Sequence, residues 1–237
     1  MIPILLLGVP GAGKGTQAKR LAQRYCLPHL STGDIFRAMA QSGSALGERV
    51  WSDMQQGNLV PDALVCQVIA ERLNQPDCGE GYILDGFPRT LPQAEWIVDF
   101  FGRRALAGTP PAALVIVVYL TVGYNDLYRR LLGRRSCPVC GRIYNDFTQP
   151  PRVAGVCDLD QAPLVQRNDD DPAVIRERLS AYEERTLPLV DFFRRRSCFL
   201  EVSGTEPVNR VSERLFAAID AAANRCGEAR PAGEGRR

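Results

Sequence analysis

Five short stretches of the chain, residues 2–9, 28–31, 81–87, 113–122 and 197–203, are apolar almost without interruption. Near-continuous apolarity, rather than alternation, predicts strands covered on both faces, as in a buried parallel sheet. Helical patterns lie between them. After the first run comes 17–25, and in 173–196 Ile175, Leu179, Tyr182, Thr186, Val190 and Phe193 recur at three- and four-residue steps. That spacing predicts one helix with a single apolar stripe, started by Asp171 as N-cap and Pro172 at the first helical position. Strands alternating with helices predict a doubly wound α/β core with right-handed crossovers.

Two stretches break the alternation. Residues 32–60 are polar and mostly helical in pattern, whereas 134–171 are rich in Pro, Gly, Cys and Asp without long periodicity. Both read as inserts. The tail from about residue 227 reads as disordered. The expected organisation is core at 1–30, 61–133 and 172–226, inserts at 31–60 and 134–171, and a tail at 227–237. Apolar runs of eight to ten residues are far short of the ~20 that a membrane helix needs. The apolar start lacks the basic residues and cleavage site of a secretory signal. A reducing cytoplasm is therefore expected.

Composition adds one asymmetry. The 237 residues carry 29 Lys+Arg against 27 Asp+Glu, a formal net charge of +2, which supplies no broad basic field for nucleic acid. Only two of the 29 cations, Lys14 and Lys19, are lysines. A coding bias accounts for the skew, but not for the lysine kept at position 14. That residue lies in Gly8-Val9-Pro10-Gly11-Ala12-Gly13-Lys14-Gly15-Thr16, between the first predicted strand and its helix. Strand, glycine loop and helix are the context of a phosphate loop: backbone N–H groups and the helix N-terminus cradle an anion, and the lysine reaches the outer phosphates. Farther on, an apolar strand delivers Asp85, where a Mg²⁺-water ligand belongs, and Arg89 follows on the turn Gly86-Phe87-Pro88.

The segments GVPGAGKGT, STGDIFR (31–37), LDGFPRTLPQA (84–94), GRRSCPVC and QRNDD (166–170) stand in the order and spacing of the adenylate kinases. The chain resembles the long-lid bacterial type over residues 1 to about 220. The resemblance implies a P-loop nucleoside monophosphate kinase fold with a five-stranded parallel core, a monophosphate-binding insert and a mobile lid. It implies ATP contacts at Gly11, Ala12, Gly13, Lys14, Gly15, Thr16, Arg134, Ile143, Tyr144 and Glu206, those at Ile143, Tyr144 and Glu206 through backbone. It implies AMP contacts at Thr32, Arg37, Asn58, Leu59, Val60, Gly86, Phe87, Pro88, Arg89 and Gln93, with Gln93 pairing adenine. Arg167 and Arg178 match the pair that embraces the transferring phosphoryl group, and Arg130 an arginine at the foot of the lid. The implied reaction is ATP-Mg + AMP ⇌ 2 ADP, in a monomer without nucleic-acid or membrane partners. The alternative within the fold is a kinase of another monophosphate, or one with GTP as donor. His29, the only histidine, is expected to have no catalytic role, and Lys19 has none assigned.

In the second insert, Cys137-x-x-Cys140 and Cys157-x-x-Asp160 form two knuckles. Such a pair suits tetrahedral coordination of a structural Zn²⁺, since four protein ligands leave no open position. Zinc-bearing adenylate kinases resemble this Cys₃Asp pattern. Asp158 is the rival fourth ligand; a redox C-x-x-C and a lid held by polar contacts alone are the rival readings. A zinc-ribbon nucleic-acid module, using Arg134, Arg135, Arg142 and Arg152 with Tyr144 and Phe147, is the rival from another functional class.

Overall fold

The computed structural model describes residues 2–42, 44–56, 58–104 and 115–228. Its centre is a five-stranded parallel sheet in the order β2-β3-β1-β4-β7. The strands are β1 (Ile4–Gly8), β2 (His29–Ser31), β3 (Ile83–Asp85), β4 (Ile116–Thr121) and β7 (Cys198–Ser203), each falling inside a predicted run. The first two residues of the 113–122 run, and 229–237 of the expected tail, lie outside the described residues.

The reason for unbroken apolarity is visible in β1. Leu5 and Leu7 point into one core with Leu84, Phe87, Ile97 and Phe193. Ile4 and Leu6 point into the other, with Leu21, Val118, Leu215 and Ile219. Both faces of a period-two strand are buried, at about 1.5–3 kcal/mol for each large apolar side chain. Helices α1 (Lys14–Tyr25), α4 (Asp62–Leu73), α5 (Leu91–Arg104) and α9 (Val208–Glu228) help to cover the sheet.

Register then places the chemistry. Leu6 pairs with Asp85 and Ser31 with Asp85, so the carboxyl ends of β1, β2 and β3 open side by side. Ser31 leaves β2 as the cap of α2 (Thr32–Gln41), its hydroxyl accepting from Asp34 N at 3.2 Å. After α2 comes α3 (Ala45–Gln55), so residues 32–60 are largely helical, as their pattern predicts. Beyond β4, α6 (Tyr124–Leu132) leads to a second, two-stranded sheet of β5 (Arg134–Ser136) and β6 (Ile143–Asn145), antiparallel with Arg135 opposite Tyr144.

One prediction fails. The single helix expected over 173–196 is α7 (Pro172–Ala181), a π turn over Tyr182–Thr186 and a separate α8 (Leu189–Arg194). Pro188 has no N–H to continue the ladder, and Leu187 N instead donates to Tyr182 O at 2.8 Å. All six members of the stripe are nevertheless buried, so the pattern correctly marks the inner face but not the break in the backbone. The start is as predicted, with Asp171 Oδ1 accepting from Ala173 N at 2.9 Å.

Candidate active site

The phosphate loop leaves β1 at the centre of the sheet and enters α1 at Lys14. Gly11 and Gly13 take positive φ angles of 86° and 93°, and Ala12 N donates to Val9 O at 3.1 Å, which curls the loop. Lys14 Nζ lies inside the curl and donates to Gly8 O at 2.7 Å and Val9 O at 3.0 Å. Burial lowers its pKa from 10.5 to about 8; Asp85 opposes this, while Arg89, Arg178 and Arg134 add to it. A cation enclosed among cations is a place for an anion.

Asp85, almost fully buried, ends β3 beside the loop: a Cβ placed on Gly15 would lie 3.3 Å from its Oδ2. The next turn contains a cis Phe87–Pro88 peptide. Gly86, at φ +83°, cannot be replaced, because a Cβ there would lie 2.6 Å from Thr32 Oγ1. Thr32 Oγ1 itself donates to Gly86 O at 3.0 Å, which joins the start of α2 to this turn. Arg89 Nε also donates to Gly86 O, at 2.8 Å. Solvent reaches Arg89, yet enclosure at the floor of the cleft, with Arg178 next in importance, lowers its pKa.

Thr32, Asn58, Leu59, Val60, Gly86, Arg89 and Gln93 line one common cavity with Phe36, Met54 and Val65. Gln93 is buried, and its amide is already engaged: Oε1 accepts from Arg89 N at 2.8 Å, and Nε2 donates to Asp62 Oδ1 at 2.7 Å. No motif in the sequence pairs Asp62 with Gln93.

Opposite the loop, Arg134, Arg167 and Arg178 converge on two adjacent acids. Arg134 grips the fully buried Asp170 with both Nε (2.6 Å to Oδ2) and Nη2. Arg178 Nη1 lies 3.0 Å from Asp169 Oδ2 and 3.3 Å from Asp170 Oδ1, and Arg167 Nε donates to Asp169 Oδ1 at 3.1 Å. Burial works against ionisation of Asp169, but Arg178, Arg167, Arg134 and Arg37 outweigh it and hold the carboxyl below the usual range. Arg167 is lowered to about 10 by burial and by Arg134. Arg37 pairs with Asp34 and joins this field. Six of the predicted cations, Lys14, Arg37, Arg89, Arg134, Arg167 and Arg178, thus feel one another in one cleft.

Other expected residues lie differently. Arg130 Nη2 reaches Thr205 O at 3.4 Å, and the Glu206 carboxylate pairs with Arg214 at 2.9 Å. Ile143 is half-buried on β6, and Tyr144 turns its hydroxyl to the cysteine cluster, 3.4 Å from Cys157 Sγ. His29, expected to have no role, has a buried Nε2 that lies 3.5 Å from Asp85 Oδ2 without a hydrogen bond. Thr186, in sequence one step of an apolar stripe, donates from Oγ1 to Arg89 O at 2.8 Å and so braces the arginine turn. The available signal is a hydroxyl recurring on a buried face, one residue before a Leu-Pro step.

Cys137, Cys140, Cys157 and Asp160 place their ligand atoms within 4.8 Å of one another. Cys140 Sγ and Cys157 Sγ are 3.6 Å apart, and Cys137 Sγ is 3.2 Å from Asp160 Oδ2. Tetrahedral thiolates at about 2.3 Å from one ion would be about 3.8 Å apart, so the donor set fits a metal of zinc's size. Asp158 is not a member of this cluster, and its Oδ1 instead accepts from Arg152 N at 2.8 Å.

A glycine loop at the carboxyl edge of a five-stranded parallel sheet, facing convergent arginines between two inserts, defines a P-loop nucleoside monophosphate kinase fold. Residues 6–198 match the family model described as adenylate kinase. Curated adenylate kinases are similar over nearly their whole length: that of Finegoldia magna is 42% identical over 90% of this chain and 96% of its own. That of Lachnospira eligens is 42% identical over 91% and 97%, and that of Thermodesulfovibrio yellowstonii 41% over 92% and 98%. The chain belongs to the adenylate kinase family.

Proposed function

We propose that this enzyme transfers the terminal phosphoryl group of ATP-Mg to AMP, reversibly, giving two ADP. The observation that carries the reading is the convergence of Lys14 and five arginines between the phosphate loop and the cavity of Thr32, Val60 and Gln93. Phosphoryl transfer between nucleotides needs positioning and charge neutralisation rather than a base, since the attacking oxygen is already anionic. Residues 11–16 would hold the ATP phosphates, with Arg134 and the backbone at Ile143, Tyr144 and Glu206 toward the nucleoside. Thr32, Arg37, residues 58–60, the turn 86–89 and Gln93 would hold AMP. Gln93 would have to exchange its bond to Asp62 for adenine, or present its remaining amide valences. Arg167 and Arg178 would move from Asp169 and Asp170 onto the transferring group, the carboxylates keeping the forks extended until phosphate arrives. Arg130 would complete the cluster from the foot of the lid. Asp85 and the Thr16 hydroxyl are the groups that would hold Mg²⁺, which supplies charge neutralisation on the phosphates when bound.

In this reading residues 134–171 form a lid that excludes water during transfer. The reading also includes a monomer of the cytoplasm. Among the described residues no helix is long and apolar enough to cross a membrane. A nucleic-acid surface is disfavoured because Tyr144 is buried beneath Arg142, which leaves Phe147, with Arg129 over its ring, as the exposed aromatic of the pair. A coupled assay with each nucleoside monophosphate and with ATP or GTP tests the assignment. Rapid transfer to AMP from ATP is expected; transfer to another monophosphate without ADP formation from AMP would overturn it.

The cysteine cluster is proposed to hold a structural Zn²⁺. The buried apolar side chains around it amount to little more than Cys137, Tyr144 and Cys157, with Ala162 and Leu164 partly buried. At about 1.5–3 kcal/mol per large side chain, these cannot offset about 1–2 kcal/mol of ordering entropy for each of nearly forty residues. A metal would supply the remainder. Chelation or Cys140→Ser is expected to lower Tm by about 10 °C while sparing most activity at 25 °C. Metal loss that abolished catalysis in a fully folded enzyme would contradict a structural role.

A further inference from the structure

Lys19 is the chain's other lysine, and it lies half-buried on α1. Its Nζ donates to Gly141 O at 2.7 Å, across 122 residues of sequence. The acceptor is fixed by the first metal knuckle: Gly141 N donates to Cys137 O at 3.0 Å, and φ of +66° sets the direction of the peptide that follows. A Cβ built on Gly141 would meet only Lys19 Nζ, at 3.7 Å, apart from its chain neighbours. Among the described residues, the segment's other hydrogen bonds to the core lie near its two roots: at one, Asn145 Nδ2 donates to Arg130 O at 2.8 Å and Asp146 N to Gly133 O at 2.9 Å, and at the other Arg178 Nη1 donates to Asp169 O at 2.7 Å. Among the described residues, no other side chain of α1 to α5 hydrogen-bonds to residues 137–165.

From this placement we infer that Lys19 is the clasp that fastens the far end of the lid to the core, and so a positioning residue for ATP. The inference rests on the reading of residues 134–171 as a lid over ATP. The root contacts join residues adjacent to the hinge and persist whatever the angle of the lid. The Lys19–Gly141 bond joins α1 to the knuckle and forms only when the lid is down. A bond present in one of two states shifts their populations by its own free energy, and a ligand that requires the closed state loses apparent affinity by the same factor when the bond is removed. An ammonium suits the task because it meets a single carbonyl as a compact charge and can release it. The residues proposed to hold AMP lie on the other insert and in the core, and do not depend on this bond.

Steady-state kinetics on Lys19→Met and Lys19→Gln, with ATP and AMP varied separately, test the clasp. KM for ATP is expected to rise about three- to tenfold, the worth of one charge-assisted hydrogen bond at a half-exposed site. KM for AMP should stay within about twofold and kcat should not fall, since a looser lid opens no more slowly. Lys19→Arg should recover most of the ATP affinity, because it restores a cationic donor. An unchanged KM for ATP, equal rises for both nucleotides, or a fall in kcat together with Tm would each overturn the proposal. Arg134→Ala, measured alongside, separates the two readings. If it raises KM for ATP while the Lys19 variants do not, the clasp alone fails; if it too leaves KM for ATP unchanged, the lid assignment fails.

Discussion

Replacing Arg89 by alanine is expected to lower kcat about 10²- to 10³-fold, the usual cost of removing one preorganised charge stabiliser, without lowering Tm. Arg89 stands where both halves of the proposed site meet. Its backbone N–H is held by Gln93 and its carbonyl by Thr186, while its side chain faces Arg178 and Asp85. The bracing is all backbone and survives truncation. What disappears is a bidentate donor for phosphate, along with one member of a crowd of like charges. Its own enclosure and the nearby Arg178 already weaken its hold on its proton, so removing it relieves repulsion in the nucleotide-free enzyme. Truncation also removes the hydrogen bond from Nε to Gly86 O, which sits at a solvent-reached position and so costs little. Kinetics and thermal denaturation of the same preparation check the prediction. An unchanged rate would remove Arg89 from the chemistry, and a large fall in Tm would make it a structural residue instead.

Lys14→Arg is expected to lower kcat/KM for ATP by at least about 10²-fold, although charge is conserved. The loop closes on a compact ammonium that donates to two carbonyls, Gly8 O and Val9 O. A planar guanidinium is wider, and the walls cannot retreat: a Cβ on Gly11 would already lie 3.0 Å from Leu131 Cγ, and one on Gly8 2.6 Å from Leu120 O. The fork would therefore stand in the space intended for phosphate or push the loop off the sheet. Direct ATP binding by calorimetry, with circular dichroism to confirm folding, distinguishes this from a global defect. Near-normal ATP affinity in the variant would refute the steric argument.

Why arginine is excluded at position 14 in a chain with 27 arginines is a question raised by composition and answered by packing. Much else is legible in the same way. The five apolar runs locate all five core strands: β1, β3 and β4 bury both faces, of which a continuous run is the direct signature, while the edge strands β2 and β7 are only partly buried. The knuckle spacing singles out Cys137, Cys140, Cys157 and Asp160 because a tetrahedral donor set is a local constraint written within two short turns. The single helix expected over 173–196 does not form, since its apolar stripe continues across the π turn while the backbone ladder does not. Side-chain periodicity reports which face is inward; it does not report which carbonyl each N–H finds.

The pairings that no local pattern reveals are those between residues distant in sequence. Thr186 on Arg89, Asp62 on Gln93 and Lys19 on Gly141 span 97, 31 and 122 residues. Asp169 and Asp170 are close to Arg167 in the chain, but the arginines 134 and 178 that they organise come from either side of them along the sequence. His29 and Asp85 meet because β2 pairs with β3 in a register that the sequence around either residue does not encode.

By itself the sequence determined the strand–helix alternation, the phosphate loop, the paired knuckles of three cysteines and an aspartate, and the cations available for phosphate. These are local matters: burial on both faces, glycine conformations and ligand spacing are settled within a few residues. Only the tertiary structure decided which cations converge, which carboxylates hold them apart and where the second lysine is used. Electrostatic energy depends on distances in space, and a net charge of +2 does not disclose that register and crossovers bring the cations 14, 37, 89, 134, 167 and 178 together with the acids 34, 85, 169 and 170 at one cleft.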